Sequence, residues 1–93
     1  MFDVNEYFEG KVKSIAFKGD KLNSTVGVMA AGDYVFGTSQ KEVMTIVSGQ
    51  LIVTLAGEVE QSIFKTGESF IILANQEFKV TVKNDTAYLC TYE

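Results

Sequence analysis

The side chains best placed to do chemistry are one carboxylate and the polar run before it. Thr38, Ser39, Gln40, Lys41 and Glu42 lie between Gly37 and the apolar stretch that starts at Val43. A carboxylate at the start of a strand can accept hydrogen bonds from neighbouring sugar hydroxyls. The hydroxyl and amide groups of Thr38 and Gln40 suit a phosphate or the edge of a base. Tyr34 and Phe36 share strand parity with Thr38, and their π-faces offer a stacking surface for a planar ring. Lys11 and Lys13, two residues apart, put two ammonium groups on one strand face, an arrangement suited to phosphate. Lysines on an edge strand also block unwanted sheet pairing, and that reading stands beside the first.

The missing residues bound this chemistry. The 93-residue chain has no His, no Trp, no Pro and one Cys, and all eight basic side chains are Lys. Without His there is no Ser-His-Asp or Cys-His nucleophilic arrangement and no imidazole metal centre. Cys90 alone excludes an internal disulfide framework and a Cys-rich zinc site, and it reads as a small buried hydrophobe. A net charge of −4 with scattered lysines argues against nucleic acid as a partner. Asp3, Glu6 and Glu9 stand where a secretory signal would need basic and apolar regions. The longest fully apolar run, Phe70 to Ala74, is too short for a bilayer span. A cytoplasmic protein with no membrane partner is the expectation.

The elements that must position these residues follow a period of two. Phe78, Val80 and Val82 alternate with Lys79, Thr81 and Lys83, and Tyr88, Cys90 and Tyr92 alternate with Ala87, Leu89 and Thr91. Both patterns mark half-buried antiparallel strands. Further strands are expected at Val12–Phe17, Ser24–Ala30, Asp33–Gly37, Val43–Val47, Gln50–Leu55, Glu60–Phe64 and Ser69–Leu73, with Gly- and Asn-containing turns between them. Only Asn5–Gly10 has room for a short helical turn. Nothing divides the chain, so residues 1–93 read as a single all-β domain, a sandwich or barrel of antiparallel strands.

Spacing adds a family resemblance. Gly32, five residues, Thr38, Gln40, then Glu42 with six residues between it and Gly49, resembles the first motif of the cupin superfamily. Gly67, Leu73, Asn75 and Phe78 resemble the second. In metal-binding cupins, histidines occupy the positions of Thr38, Gln40 and Phe78, so three of four ligand positions are unsuitable here and no metal is expected. Asn5–Phe17, Val26–Met29, Glu42–Gly49 and Tyr88–Tyr92 together resemble the small pyrimidine/purine nucleoside phosphorylases across essentially the whole chain.

The resemblance implies a single-domain RmlC-like cupin β-barrel, homodimeric, that uses inorganic phosphate to cleave many purine and pyrimidine nucleosides to free base and ribose 1-phosphate. Its implied site comprises Glu42 as the catalytic carboxylate, Tyr34, Phe36, Thr38, Gln40 and Phe78 around the nucleoside, and Lys11 and Lys13 for phosphate. No cofactor beyond phosphate as co-substrate is implied. Two departures from the family pattern stand out: Thr91 where Arg is common, and no Pro near Leu73, in a turn where Pro is common. The alternatives are a metal-free cupin that binds a nucleoside or other small polar ligand without turning it over, and a purely structural dimer with a filled interior.

Overall fold

The computed structural model describes all 93 residues, Met1–Glu93. Ten strands account for most of the chain: β1 (Val4–Tyr7), β2 (Val12–Lys18), β3 (Asn23–Met29), β4 (Gly32–Gly37), β5 (Glu42–Ser48), β6 (Gln50–Thr54), β7 (Ser62–Lys65), β8 (Ser69–Ile72), β9 (Glu77–Val82) and β10 (Thr86–Tyr92). All strand pairings are antiparallel. They form a six-stranded sheet in the order β1-β2-β3-β10-β5-β8 and a four-stranded sheet in the order β4-β9-β6-β7.

The all-β antiparallel architecture is as expected, but the two sheets do not close into a barrel. No strand of one sheet pairs with a strand of the other, so the molecule is a sandwich whose sheets meet through side chains and loops. Alternation sends one residue in two into the space between them. From the six-stranded sheet come Val12, Met29, Met44, Ile46, Phe70, Ile72, Tyr88 and Cys90, and from the four-stranded sheet come Tyr34, Leu51, Val53, Phe78, Val80 and Val82.

The Asn5–Gly10 segment also departs from expectation. Val4–Tyr7 is an edge strand paired with β2, not helix, and the turn after it is left-handed: Phe8, Glu9 and Gly10 have φ of 53°, 60° and 85°. Only Gly adopts that region without cost. The Phe8 ring holds the turn in place, 4.9 Å from the Tyr34 ring and 5.5 Å from the Phe36 ring.

Candidate active site

The core is filled at one end of the sandwich and hollow at the other. The hollow has a volume of about 200 Å³, and its polar lining is Tyr7, Ser14, Thr25, Glu42, Tyr88, Cys90 and Tyr92. All seven come from the six-stranded sheet. Phe36, Gly37 and Phe78 of the four-stranded sheet form the facing wall, where the two phenyl rings stack with centroids 5.6 Å apart. The cavity is therefore two-sided, with hydroxyls and a carboxylate on one sheet and aromatic rings on the other.

Register explains how the polar side is assembled. Glu42 lies opposite Tyr92, and Cys90 opposite both Met44 and Thr25. The Cys90 thiol donates to Glu42 Oε1 at 3.3 Å, and the hydroxyls of Thr25 and Tyr92 bond to each other at 3.0 Å. Burial raises the Glu42 carboxyl above its ordinary value of 4.5, and the thiol's hydrogen bond partly offsets the rise. Burial, reinforced by the charge of Glu42, pushes Cys90 up to about 12, so its sulfur stays a protonated donor. Tyr88 is likewise pushed up to about 12, chiefly by burial.

Three of the residues singled out in the sequence meet in this cavity: Phe36, Glu42 and Phe78. The other five lie elsewhere. Tyr34 is 4% exposed, does not line the cavity, and donates its hydroxyl to Ala30 O at 2.6 Å, so it is a core residue. The Thr38 hydroxyl donates to Leu73 O at 2.7 Å and accepts from Gln76 N at 3.1 Å, and backbone bonds run from Thr38 N to Gln76 O and from Asn75 N to Thr38 O. Thr38 is thus a staple between two loops. Gln40 is exposed and lines an outer groove with Phe17 and Asn23 that shares Thr25 and Tyr92 with the cavity wall. Lys11 and Lys13 are exposed because alternation in β2 turns Val12 and Ser14 inward, and Lys13 pairs with Glu6 at 3.2 Å. No lysine lines the cavity. Thr91 also faces outward, opposite Val43 and Ser24, so this departure from the family pattern leaves the chain's own cavity untouched.

Nothing in the sequence singles out Tyr7, Ser14 and Thr25, and for Tyr88 and Tyr92 it leaves open the cavity mouth and a dimer seam; both line the cavity. The signal was present for the tyrosines: Tyr88, Cys90 and Tyr92 share one face of a strand whose other face is Ala87, Leu89 and Thr91. The metal positions of cupins do not converge here. Thr38 is tied to a loop, Gln40 lies outside, Phe78 has no donor atom, and no three His, Cys, Asp or Glu side chains come together. The donor set does not fit a metal ion.

Fold and cavity define the class first. An RmlC-like cupin from Shewanella frigidimarina superposes with a TM-score of 0.76 at 17% identity, covering 99% of this chain and 83% of that one, and the shared fold is the cupin fold. A protein of unknown function from Vibrio parahaemolyticus superposes with a TM-score of 0.95 at 43% identity, over 100% and 99% of the two chains. The family model for pyrimidine/purine nucleoside phosphorylase matches residues 2–92, and the chain belongs to that family. A protein of that name from Cellvibrio japonicus is 58% identical over 93 residues, covering 100% of both chains. Another, from Marinobacter nauticus, is 54% identical over 92 residues, 99% of each.

Proposed function

We propose that the protein is a nucleoside phosphorylase that transfers the pentosyl group of purine and pyrimidine nucleosides to inorganic phosphate. The observation that carries this is Glu42, half-buried between a thiol donor and an aromatic wall, in a chain whose full-length relatives bear that name. Hydrogen phosphate gives an oxygen to the anomeric carbon, the C–N electron pair leaves with the base, and the phosphate proton ends on the base nitrogen. Positive charge grows on the sugar as that bond breaks. Cys90 occupies Glu42 Oε1, which leaves Oε2 to accept from the ribose hydroxyls and stabilise the electron-poor ring. Phe36 and Phe78 receive the base, and because a π-face accepts any base, a broad substrate range fits this wall. A cavity of about 200 Å³ is smaller than a typical drug-sized pocket. It suits a pentose, with the base toward the open side.

This chemistry needs placement and electrostatics and no metal. The test is to incubate the protein with uridine and adenosine, with and without phosphate, and to follow free base before and after a chelator. Phosphate-dependent release that survives chelation is expected. Binding without release would make the protein a ligand-binding cupin, and loss on chelation would overturn the metal-free reading.

The homodimer belongs to the same reading. The outer face of the six-stranded sheet presents Val4, Ile15, Val26, Val28, Val43, Leu89 and Ile71 in neighbouring register. Val26 and Val28 are 43% and 52% exposed. The unbroken apolar row Val4–Ile15–Val26–Leu89 supports self-association through paired sheets. A cytoplasmic location completes the reading, since an unpaired thiol such as Cys90 stays reduced there.

A further inference from the structure

The cavity's polar groups fall into two sets. At one pole Cys90 serves Glu42, and Thr25 and Tyr92 satisfy each other. At the other pole stand Tyr7, Ser14 and Tyr88. Ser14, Gly27 and Tyr88 form one row across β2, β3 and β10. Because Gly27 has no side chain, the Tyr88 phenol lies across it and reaches Ser14: a Cβ at Gly27 would stand 2.6 Å from Tyr88 Oη. Tyr7 joins from β1, which pairs with β2, at the end of the strand that runs into the left-handed turn. Ser14 and Tyr88 have only each other as side-chain partners, and Tyr7 has none.

We infer that Tyr7, Ser14 and Tyr88 form the phosphate subsite, in place of lysines that the fold turns outward. This rests on the phosphorylase reading. Four considerations place an anion here. The groups are hydroxyls that can all donate, and hydrogen bonds to an anion are among the stronger ones. Tyr88 is a protonated donor at neutral pH, as any phenol is, and burial pushes its pKa further up, to about 12. Phosphate is repelled by the Glu42 carboxylate, so it occupies the pole away from it. In-line displacement at the anomeric carbon also requires phosphate and base on opposite sides of the sugar. The sandwich provides that, with hydroxyls on the six-stranded sheet and aromatic rings on the four-stranded one.

The experiment is a phosphate titration of turnover at saturating uridine, with Tyr7→Phe and Ser14→Ala, each checked by thermal melt, and a Lys11→Met/Lys13→Met double variant. Each hydroxyl deletion should raise the KM for phosphate roughly tenfold or more, the loss of one hydrogen bond to a charged group, with little change in the KM for uridine. The lysine double variant should leave both constants where they were. The KM for phosphate unmoved in Tyr7→Phe and Ser14→Ala, the KM for uridine moving instead, or the lysine pair raising the phosphate constant would each overturn the assignment. If the wild-type protein releases no base with phosphate, the phosphorylase reading fails. The subsite is then read directly from phosphorus-31 line broadening of inorganic phosphate. Saturable broadening that Tyr7→Phe abolishes supports it, and its absence in the wild type overturns it.

Discussion

The Tyr88 phenol occupies the space that a side chain on Gly27 would need. A Cβ there would stand 2.6 Å from Oη, 2.7 Å from Cζ and 2.8 Å from the backbone oxygen of Lys13. The tyrosine can yield, but the neighbouring strand's carbonyl cannot yield cheaply. Gly27→Ala is expected to destabilise the fold by roughly 1–3 kcal/mol, the range for overpacking, lowering Tm by at least about 4 °C in a domain of this size. An unchanged thermal melt would show that Tyr88 does not need the space.

Glu42 makes activity and stability depend on pH in opposite senses. Because burial raises its pKa above 4.5, the carboxylate needed to hold the sugar forms later than for an ordinary glutamate, and the acid limb of kcat/KM should lie above that value. A raised folded pKa means that the folded state favours the neutral acid. That contribution to stability is fully present below 4.5 and is lost as pH rises through the folded value. Glu42→Gln should therefore lose most turnover and the acid limb with it, while melting above the wild type at pH 7 and matching it in acid. A Gln variant with wild-type turnover would remove Glu42 from the chemistry.

Thr38 separates a ligand contact from a structural staple. Thr38→Val removes a donor to Leu73 O and an acceptor for Gln76 N, at a cost of about 1–3 kcal/mol. A lower Tm with kcat/KM nearly unchanged is the expected result. A collapse of kcat/KM at constant Tm would return Thr38 to the substrate.

The dimer has a central test residue. Val26 is 43% exposed in the middle of the outer apolar face, between Ile15 and Leu89 in register. Val26→Asp should give a folded monomer by sedimentation or light scattering, and a variant that stays dimeric would place the interface elsewhere.

Much of this architecture is legible in the sequence because alternation records burial. Both β9 and β10 declare themselves, each having one face in the core. By contrast β1 is a short edge strand of which Val4, Glu6 and Tyr7 are exposed, so it leaves no apolar stripe to find. Strand parity carries Phe36 into the cavity but fails at Thr38, since β4 ends at Gly37 and the loop re-aims the chain. It also puts Lys11 and Lys13 on one face, and of the two readings open for that face the exposed one holds. Glu42 and Phe78 were findable from the spacing of the two motifs. Alternation in β10 marks the face of Tyr88, but its meeting with Tyr7 and Ser14 is not legible, because the three come together only through the strand order β1-β2-β3-β10.

The strand β10 serves two surfaces at once. Its even-numbered residues from Tyr88 to Tyr92 wall the cavity, while its odd-numbered neighbours Leu89 and Thr91 belong to the outer face. The bulge opposite Ala87 and Tyr88 falls on β5, where Val47 is skipped, and the alternation of β10 runs through it unbroken. A one-residue insertion or deletion within this strand would exchange the two sets in a single step. Polar and apolar positions of β10 are thus locked to one another, and neither the site nor the outer surface can drift in sequence without regard to the other.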